Sequence, residues 1–273
     1  GALAAIGLAS APFTQLSLLA DDNAARAALD ALSGEVHASL RTTLVKDGQA
    51  VARTAAERLL VETTGTNIWA SFLGNYGGDA NWNGAASVTR RSNGVVIGID
   101  HGFDTARLGI AGGYTRQDTA IAARNSDVRS ETGHVLAYGG VQVDAVTLNA
   151  GVGYAWSRNT TDRTVAFTGF ADRLRATYDS DTLHGFGEAR YSLPVGGGRI
   201  EPFAGIEMYR VTTLSFTENG GSAALRVARR SETYGFANIG LRATTPIVAD
   251  VSAHGVIAWQ HRITGSTPIA DAR

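Results

Sequence analysis

Six histidines, 25 acidic residues and 24 basic ones are the side chains from which this 273-residue sequence could assemble a reactive site. None stands in a spacing that a known chemistry requires. There is no His-Glu-x-x-His pair for zinc, no Gly-x-Ser-x-Gly nucleophile turn, no phosphate-cradling P-loop and no dinucleotide Gly-x-Gly-x-x-Gly. The chain has no cysteine, which excludes disulfides, Cys-ligated zinc and thiol catalysis. Asp100 and His101 are adjacent, but in an extended strand neighbours point to opposite faces and cannot act as a unit. No catalytic residue, metal ligand or cofactor site is therefore assigned.

What the spacing does show is a small and polar face. Gly94, Gly98 and Gly102 lie four apart, which on a helix would make a close-packing stripe but on a strand places all three, with Asp100, on one side. Asn149, Gly151 and Gly153 repeat the pattern. Such a face leaves room for something as wide as a helix, or else bends the wall; the residues leave both readings open. Leu32, Val36, Leu40 and Leu44 step by four along a helix-favouring segment and form a helical stripe.

That segment, residues 21–64, is rich in Ala, Leu, Arg and Glu. Ser33 is expected to cap a helix start, and Asp47-Gly48 to break it before a second piece carrying Val51, Ala55 and Leu59. From Gly65 the apolar period shortens from about four to two. In residues 145–157, Val146, Leu148, Ala150, Val152, Tyr154 and Trp156 alternate with small and polar partners. About nine strands are expected, near 66–76, 94–103, 107–115, 134–144, 145–157, 181–193, 199–216, 233–244 and 250–262. Turns at 104–106, 144–145 and 194–198 are short, whereas 77–87, 119–130, 158–177 and 217–230 read as long polar loops. That asymmetry is characteristic of outer-membrane barrels, which have short periplasmic turns and long external loops.

Composition narrows the classes. At 44% hydrophobic the chain can form a core, yet no run approaches the roughly 18–20 apolar residues of a membrane-spanning helix. Net charge is −1, so no basic field points to nucleic acid. Tyr76, Phe103, Tyr114, Tyr154, Trp156, Tyr191 and Trp259 fall toward strand ends, as interfacial girdles do. The fold class is all-β: an antiparallel transmembrane β-barrel preceded by an N-terminal helix. A porin-like channel and a soluble all-β binding domain with an N-terminal helix are the alternatives.

The run Ala28-Leu29-Asp30-Ala31-Leu32-Ser33-Gly34-Glu35-Val36-His37-Ala38-Ser39-Leu40 resembles the segment that introduces the translocator β-domain of type Va autotransporters. Residues 69–78, 94–102, 108–114 and Glu201-Pro202-Phe203-Ala204 resemble successive strands of the same domain. The resemblance implies a twelve-stranded outer-membrane barrel that exports an N-terminal passenger to the cell surface by type V secretion. Residues 1–32 would then be the passenger end and linker, 33–64 the linker and lumen helix, and 65–273 the barrel strands. Implied partners are the passenger, outer-membrane lipid and lipopolysaccharide, the barrel-assembly machinery and periplasmic chaperones. Family members continue for several strands beyond the equivalent of Trp259 and end in an aromatic residue, so the chain is expected to lack its last strands and to be excised from a longer precursor. Some members cleave their linker at an Asn. Asn23 is the weak candidate here, in surroundings that match no cleavage motif.

Overall fold

The structure, a computed structural model, describes residues 11–19, 21–61, 63–79, 86–248 and 251–265. The first ten residues, the middle of the expected 77–87 loop and the end of the chain lie outside them. Among the described residues three helices come first: α1 (Ala11–Ser17), α2 (Asp22–Leu32) and α3 (Glu35–Arg58). Twelve strands follow: β1 (Gly65–Asp79), β2 (Val88–Gly102), β3 (Ala106–Ile121), β4 (Ser126–Val143), β5 (Val146–Phe167), β6 (Phe170–Tyr191), β7 (Leu193–Val195), β8 (Gly198–Thr213), β9 (Phe216–Thr217), β10 (Arg226–Val227), β11 (Arg230–Val248) and β12 (Val251–Thr264).

Nine of these are long and form one antiparallel meander in the order β1-β2-β3-β4-β5-β6-β8-β11-β12. They correspond one for one to the strands expected from period-two patterning. The short β7 pairs with β8, and β9 with β10 forms a separate small hairpin. Each long strand pairs with its sequence neighbour because tight connections make antiparallel pairing the local solution. Among the described residues β1 and β12 are the two edges of the sheet and do not pair with each other.

The sheet curls around α3. One helix packs against β1, β2, β3, β4, β5, β6 and β8, which a flat sheet would not permit. Alternation then sorts the strands into two surfaces. On β5 the residues Val146, Leu148, Val152, Tyr154 and Trp156 are exposed on the convex side, while Asn149, Gly153, Ala155 and Ser157 are buried toward the helix. Residues 146–156 have the length a tilted strand needs to cross a bilayer, roughly 9–11 residues. Beyond Trp156 the outward positions become charged: Arg158 on β5, Glu131 on β4 and Asp179 on β6 are exposed just past the apolar band. All seven aromatic residues expected at the girdles are exposed on the outside.

Three expectations are corrected. Residues 119–130 and 158–177 are not long loops. They are continuations of β3 to β6, closed by a 3-10 turn at Ala122–Arg124 and by the tip at Thr168 and Gly169, so the tall end of the sheet is built of strand. Their outward residues are polar because they stand above the bilayer, while Asn159, Thr161, Val165 and Leu174 keep the inward phase. Asp47-Gly48 does not break the helix, because α3 runs unbroken across it with neighbours holding both residues on all sides. Ser33 caps no start: it closes α2, its hydroxyl donating to the Asp30 carbonyl, and Gly34 precedes α3 at φ 67°, a left-handed conformation that glycine adopts without strain.

Replacing Ile110, in the middle of the apolar band, with Arg is expected to cost about 2–4 kcal/mol in lipid, whereas Thr160→Arg, above the band, costs little. Urea unfolding in lipid vesicles, read as loss of the heat-modifiable folded form on gels, checks both.

Candidate functional site: the helix inside the sheet

The helix α3 is buried nearly all round, yet Glu35, His37, Arg41, Thr43 and Asp47 are among its buried residues. Burying a charge is expensive unless it is paired and hydrogen-bonded, so the wall must answer each one. It does so at three heights.

At the short-turn end the helix is clamped. The Arg58 guanidinium donates to both carboxylate oxygens of Asp100 on β2, at 2.6 and 3.0 Å. The Tyr138 hydroxyl on β4 donates to the same carboxylate at 3.1 Å and accepts from the Trp69 indole at 2.6 Å. Arg107 on β3 donates to the carbonyls of Arg58 at 2.9 Å and Thr63 at 2.7 Å, and also to that of Val61. The last carbonyls of a helix lack partners and carry its negative end, so one guanidinium meets both needs. Val51, Ala55 and Leu59 pack here against Val96, Ala111 and Leu136.

Halfway up, Asp47 accepts from Thr115 on β3 at 2.6 Å and Ser92 on β2 at 3.3 Å, with the His134 imidazole 3.3 Å away on β4. The adjacent Gly48 faces the ring of Tyr209 on β8, where a Cβ would sit only 3.3 Å from it. The helix thus approaches β8 closely at the one residue with no side chain.

At the tall end Glu35 accepts from Arg124 at 2.8 Å and the Ala86 amide at 2.6 Å, and Arg41 donates to Glu232 at 3.0 Å. His37 lies between Tyr178 at 2.9 Å and Glu218 at 2.8 Å. Arg163 closes on Glu218 with two donors, at 3.1 and 2.6 Å. These groups stand above the apolar band. Burial holds the His37 imidazole below the usual histidine range, against the opposing pull of Glu218. A neutral ring donates from Nε2 to Glu218 and accepts the Tyr178 hydroxyl at Nδ1. Burial alone would raise the Glu218 carboxyl, but the hydrogen bonds from His37 and Arg163 and the positive charge of Arg163 bring it down to about 2.

Of the residues singled out in the sequence, Leu32, Val36, Leu40 and Leu44 are all buried, although Leu32 belongs to α2 and the Gly34 kink divides the stripe. Gly94, Gly98, Asp100, Gly102, Asn149, Gly151 and Gly153 all lie on the inner face, and Asp100 is brought to the helix. The glycines mostly do not meet the helix itself. Trp69 lies over Gly98, Phe186 over Gly151 and His184 over Gly153, so the missing side chains make room for large neighbours in the wall, and only at Gly102 does the backbone after the helix, at Thr63, press against the strand. Sequence reasoning missed Arg58, Arg107, Arg163 and Glu218. The available signal was phase, because Arg107 and Arg163 fall on the inward side of their strands. Asn23 is exposed in the first turn of α2, away from the enclosed helix.

The sequence matches the family described as autotransporter beta-domain over residues 68–273. Two curated proteins of Serratia marcescens, each called an extracellular serine protease, are 32% and 31% identical to it over 245 residues. The match takes in 85% of this chain and 23% of each relative, so the chain spans about a quarter of their length. In fold it is similar to the translocator domain of the autotransporter NalP from Neisseria meningitidis, with a TM-score of 0.78 at 13% identity, covering 86% of this chain and 82% of that one. The beta domain of the Bordetella autotransporter BrkA is similar with a TM-score of 0.59 at 19% identity, over 73% and 79% of the two chains.

Asp100→Ala leaves Arg58 and Arg107 facing each other without their shared carboxylate and is expected to cost about 3–5 kcal/mol, as for other broken buried pairs. Asp100→Asn, which keeps hydrogen-bond capacity, costs less; urea midpoints of the two variants give the comparison. Lowering pH acts at the other end. His37 has a depressed value in the fold, so its contribution is present above about pH 6.5 and is lost as pH falls below it; Glu218 adds a loss of the same sign between the usual carboxylate range and about pH 2. Melting of the heat-modifiable form is expected to be flat from pH 8 to 7 and to fall below 6, and His37→Gln should flatten the first part of that fall.

Proposed function

The chain belongs to the autotransporter beta-domain family, and from that premise we propose that α3 is the segment left in the pore once an N-terminal passenger has been exported. A translocator domain of this family is an outer-membrane β-barrel joined covalently to the passenger it carries to the cell surface, and it is not an enzyme.

One observation carries the proposal: a helix with charged residues on several sides is buried inside a sheet whose outside is apolar. In lipid every backbone group must be satisfied internally, and a polar helix is tolerated only inside such an enclosure. Direction follows from connectivity. The N-terminal end of α3 lies among the tall hairpins, and its C-terminal end passes through Thr63 into β1 beside the short turn after Gly102. The tall end is assigned to the outside and the short turns to the periplasm, as in outer-membrane barrels generally. In this reading residues 1–32 are the passenger end and linker, 33–64 the lumen segment and 65–273 the barrel, with Gly94, Gly98, Asp100, Gly102, Asn149, Gly151 and Gly153 on the lumen wall.

Further partners follow from the surface. Unpaired strand edges are costly in lipid, which favours insertion by a barrel-assembly machinery after escort by periplasmic chaperones. Among the charged positions above the apolar band, the exposed Arg158 suits the phosphorylated headgroups of lipopolysaccharide.

Deleting residues 21–64 is expected to raise single-channel conductance in planar bilayers several-fold. An unchanged conductance would sink the lumen-plug reading and favour a porin whose N-terminal helix is dispensable.

A further inference from the structure

The connection between β8 and β11, residues 214–229, does not stand away from the barrel. It folds over the first turn of α3, tied to β6 by Asp172, which accepts from the Ala223 amide at 2.8 Å, and by backbone bonds between Asn219 and Arg175, and tied to the helix through one carboxylate. Glu218, whose side chain is 1% exposed, receives four donors: Nε2 of His37 and Nε of Arg163 on one oxygen, Nη2 of Arg163 and the Leu225 amide on the other. These come from the helix, from the wall and from the connection itself. Two apolar contacts accompany them. Phe216 stacks on Tyr178 at 3.8 Å between ring centres and lies 4.7 Å from the His37 ring, while the Leu225 methyl occupies the space a side chain at position 34 would need.

We propose that residues 214–229 form a latch that closes on the chain only when Gly34 and His37 have reached it, with Glu218 as the positioning residue that sets the axial stop of the helix. The inference rests on the reading that α3 occupies the lumen. With any other part of α3 at this height Glu218 loses the His37 imidazole donor, and everywhere except at Gly48 Leu225 meets a side chain instead of a glycine. Both penalties fall on the closed loop, so closure is coupled to register: Arg163, Asp172 and Arg175 of the wall bind the connection whatever fills the lumen, whereas the helix supplies the contacts that select one position. Arg163 also donates to the Ala31 carbonyl at 3.1 Å, so the same guanidinium fixes the chain as it leaves the lumen.

Because the chain has no cysteine, single cysteines report cleanly on the two ends of the helix. The test introduces Val36→Cys beside the latch or Ala55→Cys near the clamp, both fully buried, and measures labelling by a membrane-impermeant maleimide on the full chain in outer membranes. Glu218→Gln and, as a variant that removes no charge, Leu225→Ala are each expected to speed labelling at Val36→Cys at least tenfold while Ala55→Cys stays protected and the barrel keeps its heat-modifiable mobility. Unchanged labelling at Val36→Cys in both variants overturns the latch. Equal acceleration at both cysteines overturns it as well, since the connection would then hold the whole barrel together and not the helix end. Free labelling of Ala55→Cys with the latch intact would instead refute the lumen reading, and so separates the two failures.

Discussion

A helix with ionised side chains on several sides has been taken out of water, and the rest of the structure answers to that. Each buried charge on α3 would destabilise the fold by several kcal/mol if left alone. The wall therefore presents a partner at the height and side where each one falls: Asp100 for Arg58, Glu232 for Arg41, Arg124 for Glu35, and a hydroxyl pair for Asp47. Pairs of this kind add little net stability over an apolar core, but they penalise a shift of the helix by a turn, since every charge would lose its partner together. The polar interior makes the helix's position specific where an apolar one would let it slide.

The same constraint explains why the strands have two contrasting faces. A soluble sheet with water on one side keeps its apolar side inward. Here the order is reversed over the band that includes residues 146–156 of β5: Val, Leu, Tyr and Trp point outward, and Asn, Ser, Thr and small residues inward. Above that band the outward face becomes charged while the inward face keeps the buried Asn159, Thr161 and Arg163 and gains an apolar patch near the tip, where Leu32, Val165, Leu174 and Ala223 form a small core. The change marks where the surrounding medium changes from lipid to water. The strands cross that boundary without a break because a β-ladder satisfies its backbone groups equally well in either medium.

The two ends of α3 are held by different chemistry. At the short-turn end two arginines and one aspartate meet the helix where its carbonyls run out, so charge and hydrogen-bond needs coincide. At the tall end the carboxylate comes from the connection between β8 and β11 and the cation from β5. The first group joins segments close in sequence to the start of the barrel, whereas the second exists only after distant strands have come together.

The sequence by itself determined the nine long strands, their inward and outward faces and the helical character of residues 21–58, because each follows from local periodicity or residue type. It showed the buried stripe of Leu32, Val36, Leu40 and Leu44, and the inward phase of Asp100 and Asn149. It misread residues 158–177 as loop, since polarity there reports the medium outside and not the backbone, and it misread Asp47-Gly48 as a break, since helix-breaking propensity is worth only about 1 kcal/mol and packing on all sides outweighs it. Only the tertiary structure decided which charges meet. Arg58 is 42 positions from Asp100 and His37 is 181 from Glu218, and no local pattern carries information over such separations. Those pairings are set by how far the sheet curls and how the helix tilts within it, which depend on all the strands at once.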